Sequence, residues 1–157
     1  MNKSKPKLCL ACSIGGHLSE MVELKPFYRQ FEHFFVTERS NVTENLAKTE
    51  TVLFLKLINR KMFVFPFIFI YNSFLSLRYL LKNKPDIIIS TGALCAVPVC
   101  YLGKLMGKKV IFIESYAKVK TPTLSGRLVS KIADLFIVHW EDLLKFYPKA
   151  KFGGKPN

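Results

Sequence analysis

The stretch Leu8-Cys9-Leu10-Ala11-Cys12-Ser13-Ile14-Gly15-Gly16-His17-Leu18-Ser19-Glu20-Met21 decides the fold. It opens on an uninterrupted apolar run, short enough for a strand buried on both faces, and the run ends in a paired glycine and a histidine. Beyond the histidine the spacing turns helical, which predicts a strand over Lys7 to Ser13 and a helix over Leu18 to Arg29 with Met21, Leu24 and Tyr28 on one face. A strand, a glycine turn and a helix in that order form a phosphate site in α/β proteins. Residues without a Cβ let backbone N–H groups approach an anion, and the helix adds the positive end of its dipole.

The same alternation continues outward. Strands are expected at Phe34 to Thr37, Thr51 to Leu57, Asp86 to Ser90 (announced by Lys84-Pro85 and ended by Thr91-Gly92), Val110 to Ile113 and Leu135 to Val138. Between them lie a short helix or loop at Asn41 to Lys48, a helix from Cys95 to Met106 that stops at Gly107, and a helix from Ser125 to Ala133. A short terminal helix should follow Trp140. Apolar strands alternating with helices indicate an α/β fold, a single Rossmann-like domain over residues 1–150 with a mostly parallel sheet, followed by a flexible tail at 151–157. Ligand gathers at the carboxyl ends of such strands, which selects the loops Ser13 to His17, Ser90 to Ala93 and Glu114 to Lys118.

A chain of 157 residues makes about one domain, so chemistry that needs a second, substrate-binding domain must borrow it. The net charge of +13 implies an anionic partner, and the basic residues are spread along the chain instead of forming one arm. They compose no helix-turn-helix, zinc-finger or RNP pattern, so a nucleic-acid-binding module rests on charge alone and no nucleic acid is expected. Cys9 and Cys12 stand three apart, where a strand points them to opposite faces, so core thiols are expected and no metal site. No secretory h-region precedes the glycines.

Residues Met62 to Leu81 carry five of an unusual load of 14 phenylalanines. The first half is apolar on every side, whereas the second carries Asn72, Ser73, Ser76 and Arg78, which argues against a membrane span. An interfacial segment is expected, with Phe63, Phe65, Phe67 and Phe69 entering the acyl boundary of an acidic membrane surface and Arg60, Lys61 and Arg78 meeting its headgroups. The alternative is a buried, Phe-rich helix crossing the sheet.

Glu38, at the end of the second strand, stands where a dinucleotide-binding protein keeps its ribose-binding acid. The glycine turn fails that fingerprint, because Leu18, Ser19 and Glu20 follow the histidine where a third small residue is needed. No Walker A lysine is present either, which weakens a self-sufficient nucleotide-binding enzyme such as a reductase. Three blocks, Ser13 to Met21, Lys84 to Cys100, and Val110 to Val119 continuing through Leu124-Ser-Gly-Arg-Leu128 and Phe136-Ile-Val-His-Trp140, together resemble one family. It is the membrane-anchoring, acceptor-binding subunit family of the two-component GT-B glycosyltransferases. That family includes a subunit of the dolichol-linked UDP-N-acetylglucosamine transferase and bacterial capsule and exopolysaccharide proteins.

The resemblance implies half an enzyme: the N-terminal, acceptor half of a GT-B glycosyltransferase. It would receive a polyprenyl-diphosphate-linked saccharide at the cytoplasmic face of the cell membrane as a peripheral or interfacial protein. A separate catalytic subunit would carry the nucleotide-sugar, a UDP-sugar, and this chain would bind no cofactor and transfer little sugar alone. Eukaryotic members of the family begin with a transmembrane anchor; none is expected here, so attachment would fall to Met62 to Leu81, the basic surface or the partner. Ser13, Gly15, Gly16 and His17 are the implied diphosphate loop, with His17 either bonding or transferring a proton or else merely packing at the helix start. Thr91, Gly92 and Ser115 would contact acceptor sugar or diphosphate, or else Thr91 and Gly92 form a plain turn at the strand end. Glu114 would orient or deprotonate the attacking hydroxyl, or else pair with Lys118 or Arg127, and Trp140 would belong to the core or the subunit interface.

Overall fold

A computed structural model describes residues 5–59 and 63–154. Seven strands form one parallel sheet in the order β3-β2-β1-β4-β5-β6-β7. They are β1 (Leu8–Cys12), β2 (His33–Glu38), β3 (Val52–Leu55), β4 (Ile87–Gly92), β5 (Lys109–Ile113), β6 (Leu135–Val138) and β7 (Lys151–Phe152). The helices are α1 (Gly16–Glu23), α2 (Lys25–Tyr28), α3 (Asn41–Leu46), α4 (Phe65–Asn83), α5 (Ala96–Leu105) and α6 (Leu124–Val129). The single α/β domain expected from the sequence is the one that forms.

Every residue of β1 is buried, as befits the strand between β2 and β4 with helices above and below. Cys9 joins the core under α5 while Cys12 joins the core under α1, so the two thiols do point to opposite faces. All four cysteines are free and buried, and burial pushes Cys12 and Cys100 up to about 12, which keeps them protonated and unreactive. After β3 the chain crosses back over the sheet through α4 to enter β4 on the other side of β1. That reversal between β1 and β4 is the topological switch point, where the carboxyl ends of two strands diverge and leave a crevice.

Several boundaries move for identifiable reasons. The single helix expected over Leu18 to Arg29 divides into α1 and α2, because Pro26 lacks the N–H that would continue the first helix. The strand expected to end at Ser90 includes Thr91 and Gly92, and β1 shifts register there to pair Cys12 with Gly92. The tail expected to be flexible from residue 151 begins instead as β7, which adds to the sheet edge beside β6; its remaining residues 155–157 lie outside the described ones.

Of the segment singled out at Met62 to Leu81, Met62 lies outside the described residues, and the part from Phe65 onward belongs to α4, a helix that turns its polar side inward. Asn72, Ser76 and Leu80, spaced by one turn, are its buried residues, while Phe67, Ile70, Tyr71, Phe74, Arg78 and Leu81 lie on the exposed side. Asn72 explains the inversion: its amide accepts from Lys56 N at 2.9 Å and donates to Lys56 O at 2.8 Å, tying the helix to the end of β3. Tyr79 adds a bond to Phe54 O at 2.8 Å. The four phenylalanines expected to share a face do not, since a spacing of two turns about 200° on a helix. Phe63 and Phe67 are exposed, whereas Phe65 and Phe69 are half-buried and pack on each other at 5.9 Å. Arg60 and Lys61 lie outside the described residues. Among the described residues no helix is long and apolar enough to cross a membrane.

Replacing Asn72 by alanine strands the Lys56 N–H and carbonyl against a helix that gives them nothing in return. The expected loss is about 2 kcal/mol, the cost of leaving such groups unsatisfied, read as a lower urea midpoint.

Candidate functional site

The switch-point crevice is built from the ends of β1 and β4. Gly15 sits before α1 at φ 79°, a conformation that costs other residues, and a Cβ on Gly15 or Gly16 would meet only open space. The first bond of this helix runs from Ser19 N to Gly15 O at 3.1 Å, so the N–H groups of Gly16, His17 and Leu18 precede it and have no partner within the helix. Ser13 N–H donates to Gly92 O at 2.9 Å, stitching the two strand ends together.

His17 and Thr91 brace each other across the crevice. The Nδ1–H of His17 donates to Thr91 O at 2.7 Å, and Thr91 Oγ1 donates to His17 O at 2.7 Å. A carbonyl can only accept, so Nδ1 carries the proton, and the tautomer that this bond selects has its lone pair on Nε2. Gly92, at φ 103°, lies where a Cβ would come within 3.0 Å of the imidazole, so the glycine gives the ring its seat. The predicted residues Ser13, Gly15, Gly16, His17, Thr91 and Gly92 therefore occupy one place.

A cavity of about 420 Å³ opens here, lined by Ser13, His17, Glu38, Lys118, Thr123 and Ser125 among others. Lys118 supplies a cation to a wall that otherwise offers hydroxyls, an imidazole, apolar side chains and the Glu38 carboxylate, which is already engaged by Ser13 and Ile58. An anion with hydroxyl groups fits that lining.

Glu114 takes a different position from the one the strand end suggests. Only 1% exposed, it accepts from Ser115 N at 3.0 Å, Thr123 Oγ1 at 2.7 Å, Thr123 N at 3.2 Å and Tyr147 OH at 2.6 Å. Among the described residues it forms no ion pair with Lys118 or Arg127. Burial, and then the adjoining carboxylate, pushes the Tyr147 hydroxyl well up, so the phenol stays protonated and donates. Four donors on two oxygens occupy this carboxylate, and what it does here is hold the 114–123 loop and the start of α6.

Two acids escaped the sequence reading of the site. Glu38 is buried at the end of β2 and lines the cavity; its carboxylate accepts from Ser13 Oγ and from Ile58 N at 2.7 Å. Its position at a strand end was visible, but with the dinucleotide fingerprint absent nothing pointed to a task. Glu20 accepts from Ser115 Oγ and Tyr116 N, each at 3.0 Å, and so fixes the loop that carries Ser115. Its spacing of three from His17 on a helix was the available signal. Trp140 lies apart, at the end of β6, donating Nε1–H to Tyr116 O at 2.8 Å beside an open cavity of about 430 Å³ that includes Phe152.

Comparison with known proteins places this geometry in a context. The family described as "Oligosaccharide biosynthesis protein Alg14 like" matches residues 8–155. The UDP-N-acetylglucosamine transferase subunit ALG14 of Mus musculus is 36% identical over 91 residues, covering 54% of this chain and 42% of that protein. Its Candida albicans counterpart is 41% identical over the same length, again covering 42% of that protein, so the matched part is under half of these relatives. In Yarrowia lipolytica the subunit is 29% identical over 175 positions, covering 96% of this chain and 81% of the relative. Among solved structures, MurG of Acinetobacter baumannii superposes with a TM-score of 0.72 at 17% identity, covering 87% of this chain and 43% of MurG. A UDP-GlcNAc 2-epimerase of Neisseria meningitidis gives 0.70 at 13%, covering 95% of this chain and 46% of the enzyme. These likenesses show the fold, a Rossmann-like domain corresponding to one half of a GT-B protein.

Proposed function

The chain belongs to the Alg14-like family of oligosaccharide biosynthesis proteins, and from that premise we propose that it is the acceptor-binding and membrane-docking subunit of a two-component glycosyltransferase. The observation that carries this assignment is the switch-point cavity: Ser13, His17 and Lys118 line one opening next to the start of α1, on a domain that matches half of a two-domain fold. The acceptor is a polyprenyl-diphosphate-linked saccharide of surface polysaccharide assembly. Its diphosphate lies on Gly15, Gly16 and the start of α1, where the helix dipole and unbonded N–H groups stabilise negative charge.

The donor is a UDP-sugar held by a separate catalytic subunit. His17 Nε2 accepts a hydrogen bond, and in the transition state a proton, from the acceptor hydroxyl, while Thr91 fixes the ring through its other nitrogen. Ser115, held by Glu20, borders the acceptor sugar, and Glu114 acts as a positioning residue for the same loop. Trp140 and its cavity face the partner. The exposed stripe of α4, with Phe67 and Phe74 at its centre and Arg78 at its end, rests on the acidic cytoplasmic surface of the membrane.

Co-expression of this chain with a nucleotide-sugar-binding glycosyltransferase subunit tests the assignment. The expected result is a stable complex that moves radiolabelled sugar from a UDP-sugar to undecaprenyl-diphosphate-linked acceptor in vesicles, with negligible transfer by either chain alone. Equal activity of the partner without this chain would overturn it.

A further inference from the structure

Beside the exposed stripe of α4 runs a groove of about 700 Å³ between that helix and β3, lined by Leu53, Leu57, Tyr71, Leu75 and Tyr79 with Arg39 and Lys56 on its rim. Its size suits a ligand of a few tens of atoms and its floor is apolar. The edge of β3 beside it is not open to another strand. Phe54 O is held by Tyr79, and Lys56 N and O are held by Asn72, so a peptide adding to that edge would have to displace α4.

The groove also has a direction. Tyr71 and Leu57, each about half exposed, belong both to the groove and to the outer surface, so it opens on the face that carries Phe67 and Phe74. Leu57 also marks the join with the site: it lines the groove, and the next residue, Ile58, lines the switch-point cavity. That joint is fixed: the Glu38 carboxylate binds Ile58 N on one side and the Ser13 hydroxyl of the glycine loop on the other. Lys56 and Arg39 lie 4.4 Å and 4.3 Å from the ring centres of Tyr71 and Phe54, which keeps their stems on the apolar wall. The lining itself contains Arg39 and Lys56 and no carboxylate; Arg39 is paired with Glu44 at 2.9 Å, and Lys56 is the cation that favours an anionic amphiphile over a neutral one.

We propose that the groove between β3 and α4 seats the first isoprene units of the polyprenyl diphosphate acceptor, leading its chain from the diphosphate at the glycine loop to the membrane. The proposal rests on the assignment of the cavity as a diphosphate site. It makes Leu57 and Tyr71 specificity determinants for the lipid part of the acceptor.

Titration calorimetry of the full chain with inorganic pyrophosphate and with farnesyl diphosphate, below its critical micelle concentration, separates the two ideas. Farnesyl diphosphate should bind at least roughly tenfold more tightly than pyrophosphate, from the apolar area it buries. Leu57→Asp, and independently Tyr71→Ala, should remove most of that advantage while leaving pyrophosphate affinity unchanged, and Phe74→Asp, outside the groove, should leave both affinities unchanged. Circular dichroism melts identify which variants are folded, and either groove variant suffices. If farnesyl diphosphate binds no more tightly than pyrophosphate, or Phe74→Asp weakens it as much as Leu57→Asp, the groove proposal fails and the cavity assignment stands. If pyrophosphate itself does not bind, the cavity assignment fails and the groove proposal with it.

Discussion

Replacing His17 by alanine in the assembled transferase is expected to lower kcat/KM for the lipid acceptor by about 100- to 1000-fold, within the range that a positioned proton-transfer group supplies. The ring makes two separable contributions. Nδ1–H ties α1 to Thr91 O at the end of β4, and Nε2 offers a lone pair to the cavity. His17→Asn preserves an N–H that can reach the Thr91 carbonyl but places nothing at Nε2. If Nε2 handles the acceptor hydroxyl, His17→Asn should be nearly as inactive as His17→Ala although more stable. Recovery of most activity in His17→Asn would reduce the histidine to a brace. Gly92→Ala should resemble a mild His17 defect, because the new methyl, in a strained backbone at φ 103°, would push on the imidazole.

The crevice was readable in the sequence for a physical reason. An apolar strand buried on both faces, a paired glycine and a helix form a local arrangement, and Ser13, Gly15, Gly16 and His17 lie within five residues of one another. The second wall at Thr91 and Gly92 followed once β4 was recognised, since parallel strands bring their carboxyl ends to one edge. The inverted burial of α4 was not readable in the same way. Hydropathy assigns Phe67 and Phe74 to a core and Asn72 to solvent; what reverses them is an amide-to-backbone pair with Lys56, sixteen residues earlier, at an edge strand that needs capping. Its spacing of four between Asn72, Ser76 and Leu80 was visible, but nothing local said which side of the helix would meet the sheet. Glu114 was misleading for a related reason: the residue that occupies it most closely, Tyr147, is 33 positions away in a segment without a motif.

Glu114→Ala is expected to cost about 3 to 5 kcal/mol, the penalty for removing one member of a buried, charge-bearing network, and that is a large share of the 5 to 15 kcal/mol that holds a domain of this kind together. The four donors aimed at Glu114 come from the loop after β5, the cap of α6 and the segment before β7, so their loss frees three elements at once. Gly126 reports on the same place. Its Cβ would fall 2.1 Å from Glu114 Oε2 and 2.5 Å from Tyr147 OH, both immobilised by their own bonds, so Gly126→Ala should destabilise the domain by disrupting the same network without removing any member of it. Tyr147→Phe removes a single donor and should cost about 1.5 to 3 kcal/mol, the worth of a hydrogen bond to a charged group. Urea titrations of the three variants should therefore rank Tyr147→Phe as the mildest. A chemical role for Glu114 would give another pattern: Glu114→Gln, which keeps the volume and two oxygen- or nitrogen-centred contacts, would retain near-normal stability and yet abolish transfer, while Tyr147→Phe and Gly126→Ala would leave kcat intact in whatever fraction stays folded. On the geometry described, Glu114→Gln should instead lose stability, because its amide nitrogen must point a donor at donors that already converge on that oxygen, and transfer should fall in proportion to the folded fraction.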